Sequence, residues 1–482
     1  MSFKHFAVAL AGSVALAAGQ SQPVAAQAPA KQRVLILSDI EADPDDSQSL
    51  VRLFLYANEI DIKGLIATTS VHQKTSTHPE SIRKLIAAYG QVQANLSKHA
   101  PGYPSAKALA SLVTTGRPVY GLAGLGAGQD SPGSDWIIKA LDEPDNRPLW
   151  VSVWGGANTL AQALYKLKET RPEPELTRLL QKLRVYSISD QDDTGPWIRR
   201  TFPQVFYVVS PGGYGNATWL GINSFVPGIN NETISNAWLA ANIQQGHGPL
   251  GAQYPDVAYG MEGDTPAWLA LIPNGLSAPE HPDWGGWGGR YTRYQPRLAD
   301  LDPKGFTGGV PVPEETRPIW TNASDAYRPV QPTAYGRAVR ADTAAFRGNR
   351  VTLWRWRDDI QHDFASRIAW THLPYKQANH PPVPALAHPT ELTVKSGAYF
   401  LLDATGTTDP DGDNLSYLWT YYPEVGSYKK AIDFNAAQNL YRVNAQAPKV
   451  DKPETLHFIL RVTDKGTPAL SRYKRVVVTV MP

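Results

Sequence analysis

Residues 33–46 read RVLILSDIEADPDD, and this stretch decides the fold. Its first six residues form a continuous apolar run, which is typical of a strand buried on both faces in a parallel sheet. An acidic loop follows the run. A helical pattern then begins at Gln48, with Leu50, Leu53 and Phe54 at a spacing nearer 3.6 than 2. A buried strand, a polar loop and an amphipathic helix predict the first half of a βαβ unit.

The same alternation continues along the chain. Further strands are predicted at 62–68, 149–153, 183–188 and 205–209, with helical segments at 81–88 and 157–169. This pattern predicts an α/β fold with a mostly parallel sheet flanked by helices. From 211 to 348, Gly, Pro, Asn, Trp and Tyr dominate, and an irregular stretch of this length is unusual in a compact domain unless it has a function. Helical patterning returns at 359–372.

The last quarter of the chain changes character. Residues 379–389, NHPPVPALAHP, are rich in Pro and predict an inter-domain linker. Residues 385–482 carry short β runs separated by turns, which predict a separate Ig-like β-sandwich domain. The turn TTDPDGDN at 407–414 has alternating Asp residues but no Glu at the twelfth loop position, so it is not an EF-hand. A plain turn is favoured there, with a structural cation as the alternative.

The first 26 residues predict a cleaved signal peptide. They combine a short basic start, an Ala-rich apolar run too short to cross a bilayer, and small residues before Gln27. A buried N-terminal helix is the alternative. We therefore expect a secreted or periplasmic protein without a membrane span.

Composition excludes several classes of protein and site. The 482 residues include 46 Lys and Arg against 44 Asp and Glu, and this balance argues against a nucleic-acid binder. Cys is absent, which excludes disulfides, thiolate metal sites and a Cys nucleophile. Trp and Tyr, 14 and 22 residues, outnumber the 12 Phe, as they often do on binding surfaces. A homodimer is left open.

The loop after the first strand is strongly acidic. Within eight residues it holds five carboxylates: Asp39, Glu41, Asp43, Asp45 and Asp46. Ligands of open α/β sheets bind at the carboxyl ends of the strands, where this loop is predicted to lie. A solvated turn or a helix cap would account for one or two carboxylates, but five so close together repel one another unless a cation is present. Carboxylate ligands without Cys favour Ca²⁺ or Mg²⁺ over zinc.

This loop resembles the Asp-x-Asp-Pro-Gly-x-Asp-Asp signature that follows the first strand of nucleoside hydrolases. Asp39 takes the first position of the signature, Glu41 the third, and Asp45 and Asp46 the final pair. The resemblance implies that Glu41 and Asp46 hold Ca²⁺, with Asp39 adjacent. It also implies that Glu41 activates the attacking water and that Asp45 binds a sugar hydroxyl.

Further segments carry the same resemblance. IATT at 66–69 resembles the second strand of that family, which ends in Thr-Thr. GGANTL at 155–160 resembles a turn whose carbonyl binds calcium, which implies that role for Asn158. EGDTP at 262–266 resembles the segment that supplies the last calcium carboxylate, which implies that role for Asp264.

The whole layout is similar to a narrower group, the secreted bacterial nucleoside-hydrolase-like proteins with a C-terminal β domain that are described as cellulose-binding. WGGANT at 154–159, SISDQDD at 187–193, EGDTP at 262–266 and HPDWGGWGGR at 281–290 carry this similarity. The expected organisation is a nucleoside hydrolase-like domain over residues 33–378, followed by the Ig-like β-sandwich over 385–482.

The residues that would contact a substrate are less well marked. The ribose motif of nucleoside hydrolases is not apparent, and SDQDDTGPW at 189–197 stands after the strand instead. Acids after a strand and Trp residues among glycines suggest a site, although helix capping and loop packing explain them equally well. The predicted substrate-binding residues are Asp45, His72, Asn158, Asp190, Asp192, Trp197, Trp284 and Trp287. Alongside Glu41 and Asp45, His247 is the candidate acid for the leaving group, because His titrates near neutral pH.

Two functions follow from these observations. The first is a calcium-dependent hydrolase of a glycosidic bond that acts through a metal-bound water on an N-glycosyl or furanoside substrate. The second is a non-catalytic protein that binds cellulose or another insoluble polysaccharide on the same scaffold. The expected partner is a carbohydrate or a nucleoside-like small molecule.

Overall fold

The run at 33–38 forms the first strand of an eight-stranded sheet in the computed structural model, which describes residues 30–211, 214–216, 218–301, 310, 313–331, 339–340, 345–432 and 437–482. The predicted signal peptide lies outside the described residues. The strands of this sheet are β1 (Arg33–Ser38), β2 (Asp61–Ala67), β3 (Val113–Thr115), β4 (Leu149–Val153), β5 (Leu183–Ser187), β6 (Phe206–Val209), β7 (Tyr291–Tyr294) and β8 (Ile319–Asn322).

The strand order places β1 and β4 side by side at the point where the chain reverses direction across the sheet. The order is β3-β2-β1-β4-β5-β6-β8-β7, and only the β7–β8 pair is antiparallel. The connections run outward from β1 to β3 on one side and from β4 on the other. The carboxyl ends of β1 and β4 therefore border a crevice of the kind in which doubly wound sheets bind ligands.

Helices cover both faces of the sheet. The first group is α1 (Asp45–Leu55), α2 (Pro79–His99), α3 (Ala106–Ala110), α4 (Pro132–Asp142), α5 (Asn158–Thr170), α6 (Glu173–Lys182) and α7 (Thr194–Thr201). Shorter helices and one long helix follow: α8 (Thr218–Gly221), α9 (Asn236–Leu239), α10 (Gly248–Gly251), α11 (Pro266–Leu269), α12 (Leu298–Leu301), α13 (Val351–Trp354) and α14 (Arg357–Ala369).

The side chains of β1 alternate between two cores. Val34 and Ile36 pack with α1, α2 and α14, whereas Leu35 and Leu37 pack with α4, α5, α6 and α7. Because successive side chains of a strand point to opposite faces, an apolar run is what a strand covered on both sides requires. The predicted strand is confirmed with its limits at 33 and 38. Small strands also occur in the irregular region: β9 (Asp325–Tyr327), β10 (Val330–Gln331), β11 (Val339–Arg340) and β12 (Phe346–Gly348).

The C-terminal residues form two sheets around Trp419, which is completely buried. One sheet has the order β13-β19-β18-β15-β16 and the other pairs β14 with β17. The strands are β13 (Glu391–Lys395), β14 (Tyr399–Asp403), β15 (Ser416–Tyr421), β16 (Ala437–Gln438), β17 (Arg442–Gln446), β18 (Glu454–Thr463) and β19 (Ser471–Met481). The predicted fold class, a mostly parallel α/β sheet with a C-terminal β domain, is confirmed.

The two parts of the chain share a buried polar junction. Two acids of α14, which we call the junction acids, are Asp359 and Asp363. Asp359 accepts hydrogen bonds from Tyr473 and from Ser471, the latter at 3.0 Å. Asp363 pairs with Arg472 at 2.7 Å. The β domain is therefore joined to α14 by charged contacts from β19, and Lys31–Pro482 form one compact unit.

The segment predicted as a linker is packed in place. The His380 ring stacks on Tyr375, with centroids 3.9 Å apart, and on Trp370. Val383 forms a β-bridge with Thr408. Among the described residues, no helix combines the length and the apolar character needed to cross a membrane.

Candidate metal centre

Five Asp side chains converge at the carboxyl edge of the sheet. Asp43, Asp45 and Asp46 each place one carboxylate oxygen within 4.8 Å of the others. Asp39 follows β1, and Asp264 lies just before α11. Burial is the main cause that raises the pKa of Asp264, and the charges of the other four acids raise it further. We call these five residues the acidic site.

Glycines allow the turn after β4 to approach the acidic site. A Cβ atom at Gly155 would lie 2.6 Å from an Asp39 carboxylate oxygen, closer than real Cβ atoms come. A Cβ atom at Gly156 would lie 2.4 Å from an Asp192 carboxylate oxygen. Any larger residue would push these acids and the turn apart, so the two glycines fix the width of the crevice between β1 and β4.

A buried ion pair positions Asp264. Arg52 of α1 donates to Glu262, with its Nε 2.5 Å from Oε2 and its Nη2 2.9 Å from Oε1, and both side chains are completely buried. Tyr254 and Thr265 donate to the same carboxylate at 2.6 and 2.8 Å. Both carboxylate oxygens of Glu262 therefore have hydrogen-bond donors. These bonds hold the loop that carries Asp264 against α1.

The acidic site has the chemistry of an oxygen-lined cation site. Burial raises the pKa of Asp39 to about 6 and raises the pKa values of Asp45, Asp46 and Asp264 well above their ordinary value. The Oδ2 atom of Asp264 is buried and has no hydrogen-bond partner among the described residues. A buried oxygen of this kind is costly unless a ligand satisfies it. These donors fit a hard divalent cation.

We expect the Ca²⁺ affinity of the protein to rise as the pH increases from 5 to 7. Binding must displace protons from carboxyls whose pKa values are raised, and Asp39 ionises at about pH 6. Raised pKa values in the folded state also make the stability of the metal-free protein depend on pH. The contribution of these acids to folding is most favourable below about pH 4, where they are protonated, and it is lost as the pH rises and they ionise. Melting temperatures of metal-free and Ca²⁺-loaded protein between pH 5 and 8 should therefore diverge with increasing pH. A constant difference between the two curves would contradict this prediction.

Glu41, predicted as a metal ligand and as the general base, is not part of this group. Its side chain is 49% exposed and lies 3.2 Å from His78 Nδ1, and it accepts a hydrogen bond from Ser81. Glu41 has a φ of +80°, a conformation that non-glycine residues rarely adopt, and this turns its side chain toward the start of α2. In this structure Glu41 lies outside the acidic site, and the partly buried Asp43 lies with the other acids. The roles predicted for Glu41 stay predictions.

A matched pair of variants tests whether Asp43 rather than Glu41 supports metal binding. Asp43→Asn is expected to weaken Ca²⁺ binding by about 10-fold or more, because it removes one charge from the converging group. Glu41→Gln is expected to leave the affinity within about 3-fold. Isothermal titration of both variants with CaCl₂ measures the difference. The opposite ranking would restore the original assignment of Glu41.

Two predicted substrate contacts, Asn158 and Asp190, are occupied by structural hydrogen bonds. The Asn158 side chain accepts from Thr68 Oγ1 at 2.7 Å and donates to the Val119 carbonyl at 2.7 Å. Asp190 pairs with Arg199 at 2.8 Å, and both side chains are fully buried. These groups are not free to bind a substrate as they stand. The role predicted for the Asn158 carbonyl as a calcium ligand stays a prediction.

Asp192 has a similar structural role. Its Oδ1 accepts from the Thr194 N–H at 2.9 Å, and its Oδ2 accepts from the Asn158 N–H at 3.1 Å. One carboxylate therefore satisfies N–H groups at the starts of α5 and α7, which otherwise have no partner within their helices.

The predicted aromatic contacts are also packed. Trp287 is completely buried, and its indole N–H lies 3.4 Å from Tyr473 of the β domain, so it has no face available to a sugar. Trp284 is half-buried and stacks on His281 with centroids 4.1 Å apart. Trp197 packs edge-on against Phe202.

His247 lies far from the acidic site. Its Nε2 is 2.8 Å from the Ala241 carbonyl and its ring contacts His372. The adjacent Gly248 approaches Val92 of α2. Val92 is 11 residues, or about 16 Å of helix, from Ser81, which donates to Glu41. The structure does not bring His247 to the acidic site, and its role as the leaving-group acid stays a prediction.

His72 remains beside the acidic site, together with two aromatic residues that the sequence did not single out. The His72 Nε2 lies 2.6 Å from the Tyr214 hydroxyl, and burial lowers the pKa of His72 while the charge of Asp43 raises it. Tyr214 contacts Trp219, whose indole N–H donates to Asp45 at 2.6 Å. Only the abundance of Trp and Tyr in this irregular region signalled such a role. These three side chains form an aromatic wall on one side of the acidic site.

Comparisons with known proteins agree with this architecture. The family model described as "Cellulose-binding Sde182, nucleoside hydrolase-like domain" matches residues 33–291, and "Cellulose-binding protein Sde0182, C-terminal domain" matches residues 399–480. A solved structure described as a nucleoside hydrolase-related hypothetical protein from Saccharophagus degradans, associated with carbohydrate metabolism, is 34% identical. The match covers 94% of this chain and all of that one, with a TM-score of 0.77.

More distant structures add little. The effector proteins XOO4466 and XopQ are 12% and 11% identical and have TM-scores of 0.28, which is too low to carry an argument. Each match covers 60% of this chain and 87% or 88% of the other. The curated proteins contain no match. The two family models and the 34% identity over nearly the whole chain show that this protein belongs to the Sde182 family, whose members combine a nucleoside hydrolase-like domain with a C-terminal β domain.

Proposed function

We propose that this protein is a calcium-dependent hydrolase that cleaves the glycosidic bond of an N-glycoside or a glycan-derived furanoside. The observation that carries the proposal is the unpartnered, buried Oδ2 of Asp264, which lies among four other acids at the switch point of the sheet. A protein that only packed or only bound glycan through aromatic surfaces would not need to bury mutually repelling carboxylates there.

Asp45, Asp46 and Asp264 are the residues that would hold Ca²⁺, with Asp39 and Asp43 beside them. When bound, the cation would lower the pKa of an attacking water and orient sugar hydroxyls. The remaining chemistry belongs to side chains of the acidic site and the aromatic wall.

Asp43 is the best candidate to accept the proton of the attacking water. It is only partly buried, whereas Asp39, Asp45, Asp46 and Asp264 are almost fully enclosed. A carboxylate that both water and substrate can reach is required of a general base. Asp43 thus takes the role that the sequence assigned to Glu41.

His72 is the best candidate to protonate the leaving group. Its Nε2 lies 2.6 Å from the Tyr214 hydroxyl. Burial lowers the pKa of His72, and the charge of Asp43 opposes this and favours the protonated imidazole that a proton donor requires. In the reaction, the water oxygen bonds to the anomeric carbon as the bond to the leaving nitrogen or oxygen breaks. The water proton passes to Asp43, and the leaving group takes a proton from His72.

Turnover assays on the full chain test this proposal. The Ca²⁺-loaded protein would be incubated with a panel of nucleosides and plant cell-wall oligosaccharides, and released base or sugar would be quantified. Activity should disappear after calcium removal and in Asp43→Asn, while Glu41→Gln should retain most of it. If the folded, Ca²⁺-loaded protein cleaves none of these substrates, the hydrolase proposal fails.

A second function, polysaccharide binding without catalysis, is favoured by the family description and by one surface. On β14, Tyr399 and Leu401 are 74% and 44% exposed, and Tyr441 beside β17 is 49% exposed. Sugar rings stack on exposed aromatic faces of this kind. Sedimentation of the full chain with microcrystalline cellulose, compared with Tyr399→Ala and Tyr441→Ala, tests the second function. Binding that is unchanged by calcium removal would separate it from the first.

A further inference from the structure

Three segments meet where the chain enters the β domain. The Asn379 amide donates to Asp464 Oδ1 at 3.0 Å and to the Pro468 carbonyl at 2.7 Å. The adjacent His380 N–H donates to Asp411 Oδ2 at 2.6 Å, and its ring Nδ1 lies 3.0 Å from Oδ1 of the same carboxylate. These contacts bring residues 379–380, the turn at 409–413 and the turn at 464–470 together.

Three side-chain oxygens at this meeting point are buried and lack a hydrogen-bond partner. They are Oδ2 of Asp409, Oδ2 of Asp464 and Oδ1 of Asn379. Asp464 is completely buried and Asn379 is 7% exposed, so the protein shields both from bulk water. Burying each of these oxygens without a hydrogen bond costs desolvation free energy that no contact of the oxygen offsets.

The other oxygen of each carboxylate is fully used. Asp464 Oδ1 accepts from the N–H groups of Gly466 and Leu470 at 3.0 and 2.9 Å. Asp409 Oδ1 accepts from the N–H groups of Asp411 and Asp413 at 2.9 and 3.0 Å. Backbone donors therefore fix each carboxylate by one oxygen and leave the second free, which is how a protein orients a carboxylate toward a cation.

The basic group beside the acids at this point is His380, which lies against Asp411. Among the described residues, no Lys or Arg forms an ion pair with Asp409, Asp413 or Asp464. Burial raises the pKa of Asp464, hydrogen bonds from Leu470, Asn379 and Gly466 oppose this rise, and the charge of Asp409 adds to it. Burial and the charges of Asp409 and Asp411 also raise the pKa of Asp413. Hydrogen bonds give the spatial relation: Asn379 binds Asp464, and the adjacent His380 binds Asp411, whose N–H donates to Asp409.

We propose that Asp409, Asp464 and Asn379 bind a divalent cation, Ca²⁺, at a second site distinct from the acidic site, with Asp413 next to it. Carboxylate and amide oxygens are the ligands that Ca²⁺ takes in proteins. Because Asn379 immediately precedes His380, this cation links the entry segment to two turns of the β domain. The site stabilises the junction and takes no part in the hydrolysis proposed above.

Calcium stoichiometry of the full-length chain tests the second site. Metal-free protein would be titrated with CaCl₂ by calorimetry, and bound calcium would be measured by atomic emission. The double variant Asp45→Asn/Asp46→Asn removes the acidic site and should retain one Ca²⁺ per chain. Adding Asp409→Asn should lower the remaining affinity by at least about 10-fold. If the double variant binds no calcium, or if Asp409→Asn changes nothing in it, the second site does not exist.

Thermal melting of the double variant gives an independent readout. At a Ca²⁺ concentration about 100 times the dissociation constant, its melting temperature should rise by about 3 °C over the metal-free value. Asp464→Asn and Asp409→Asn should each abolish this rise, so a variant that is merely less stable still reports on binding. The exposed Asp451→Asn is the matched control and should keep the full rise. A rise that survives in both site variants would overturn the proposal.

Discussion

Asp264→Asn is expected to lower the Ca²⁺ affinity of the acidic site by at least about 100-fold, and at the same time to raise the melting temperature of the metal-free protein. Both effects have the same origin. In the absence of metal, the Asp264 carboxylate is completely enclosed, one of its oxygens has no partner, and four other acids repel it. An amide removes the negative charge and with it this repulsion, but it provides a poorer cation ligand.

The opposite signs of these two changes make the experiment decisive. A residue that only supported the fold would lower the melting temperature with and without calcium. Calorimetric titration gives the affinity, and melting curves in a chelator and in excess Ca²⁺ give the stabilities. Glu41→Gln is the matched control, because its half-exposed carboxylate lies outside the group and both measurements should stay near the wild-type values. A lower melting temperature of metal-free Asp264→Asn would show that no destabilising charge is stored at this position.

Asp363→Asn is expected to destabilise the whole chain by about 3–5 kcal/mol, equivalent to a fall of about 3–5 °C in melting temperature. This junction acid pairs with Arg472 at 2.7 Å and with Arg367 at 3.1 Å in a buried setting. Burial raises the pKa of Asp363, but the charges of the two arginines outweigh it and hold the pKa at about 2. Removing the carboxylate leaves Arg472 without its ion-pair partner, and Arg367 keeps only its pair with Glu59.

The exposed ion pair between Asp142 and Arg171 provides the control. Both of its side chains are about one-third exposed, so Asp142→Asn should cost less than about 1 kcal/mol.

The lowered pKa of Asp363 also makes the stability of the protein depend on pH. Asp363 stabilises the folded state above about pH 4, and this stabilisation is lost as the pH falls from 4 to 2. Equal melting temperatures for Asp363→Asn and wild type would show that the β domain does not depend on this junction.

The sequence predicted the sheet well because the signals involved were local. The apolar run at 33–38 and the alternating pattern of 149–169 depend on neighbours a few residues away. The structure has a strand at the first place, and a strand followed by a helix at the second. Tertiary partners were harder to foresee. Asp190 lies just after strand β5, where an acid that binds a ligand would be expected. In the structure it forms an ion pair with Arg199 of α7.

The candidate site shows the same division. The acidic loop was identified because its charge density needs no tertiary information, and five acids in eight residues are unusual in any fold. The position of Glu41 could not be foreseen, because a positive φ turns its side chain out of the acidic site and no pattern of residue types reveals that. The roles that the resemblance implied for Glu41 stay predictions. Trp287 stood among glycines that suggested a substrate contact, with packing in the loop as the alternative. The structure buries it against Tyr473 of the β domain, a residue nearly 200 positions further along the chain.

The junction acids also bear on the order in which the protein can be made. Asp359 and Asp363 accept hydrogen bonds from Ser471, Arg472 and Tyr473 of β19. A ribosome synthesises these partners only after every strand of the large sheet. Until β19 is made, Asp359 and Asp363 lack the hydrogen bonds and the ion pair that it supplies. The incomplete chain is therefore less stable than the chain that includes β19. This delay places the locking of α14 against the β domain after the whole of the large sheet has been made.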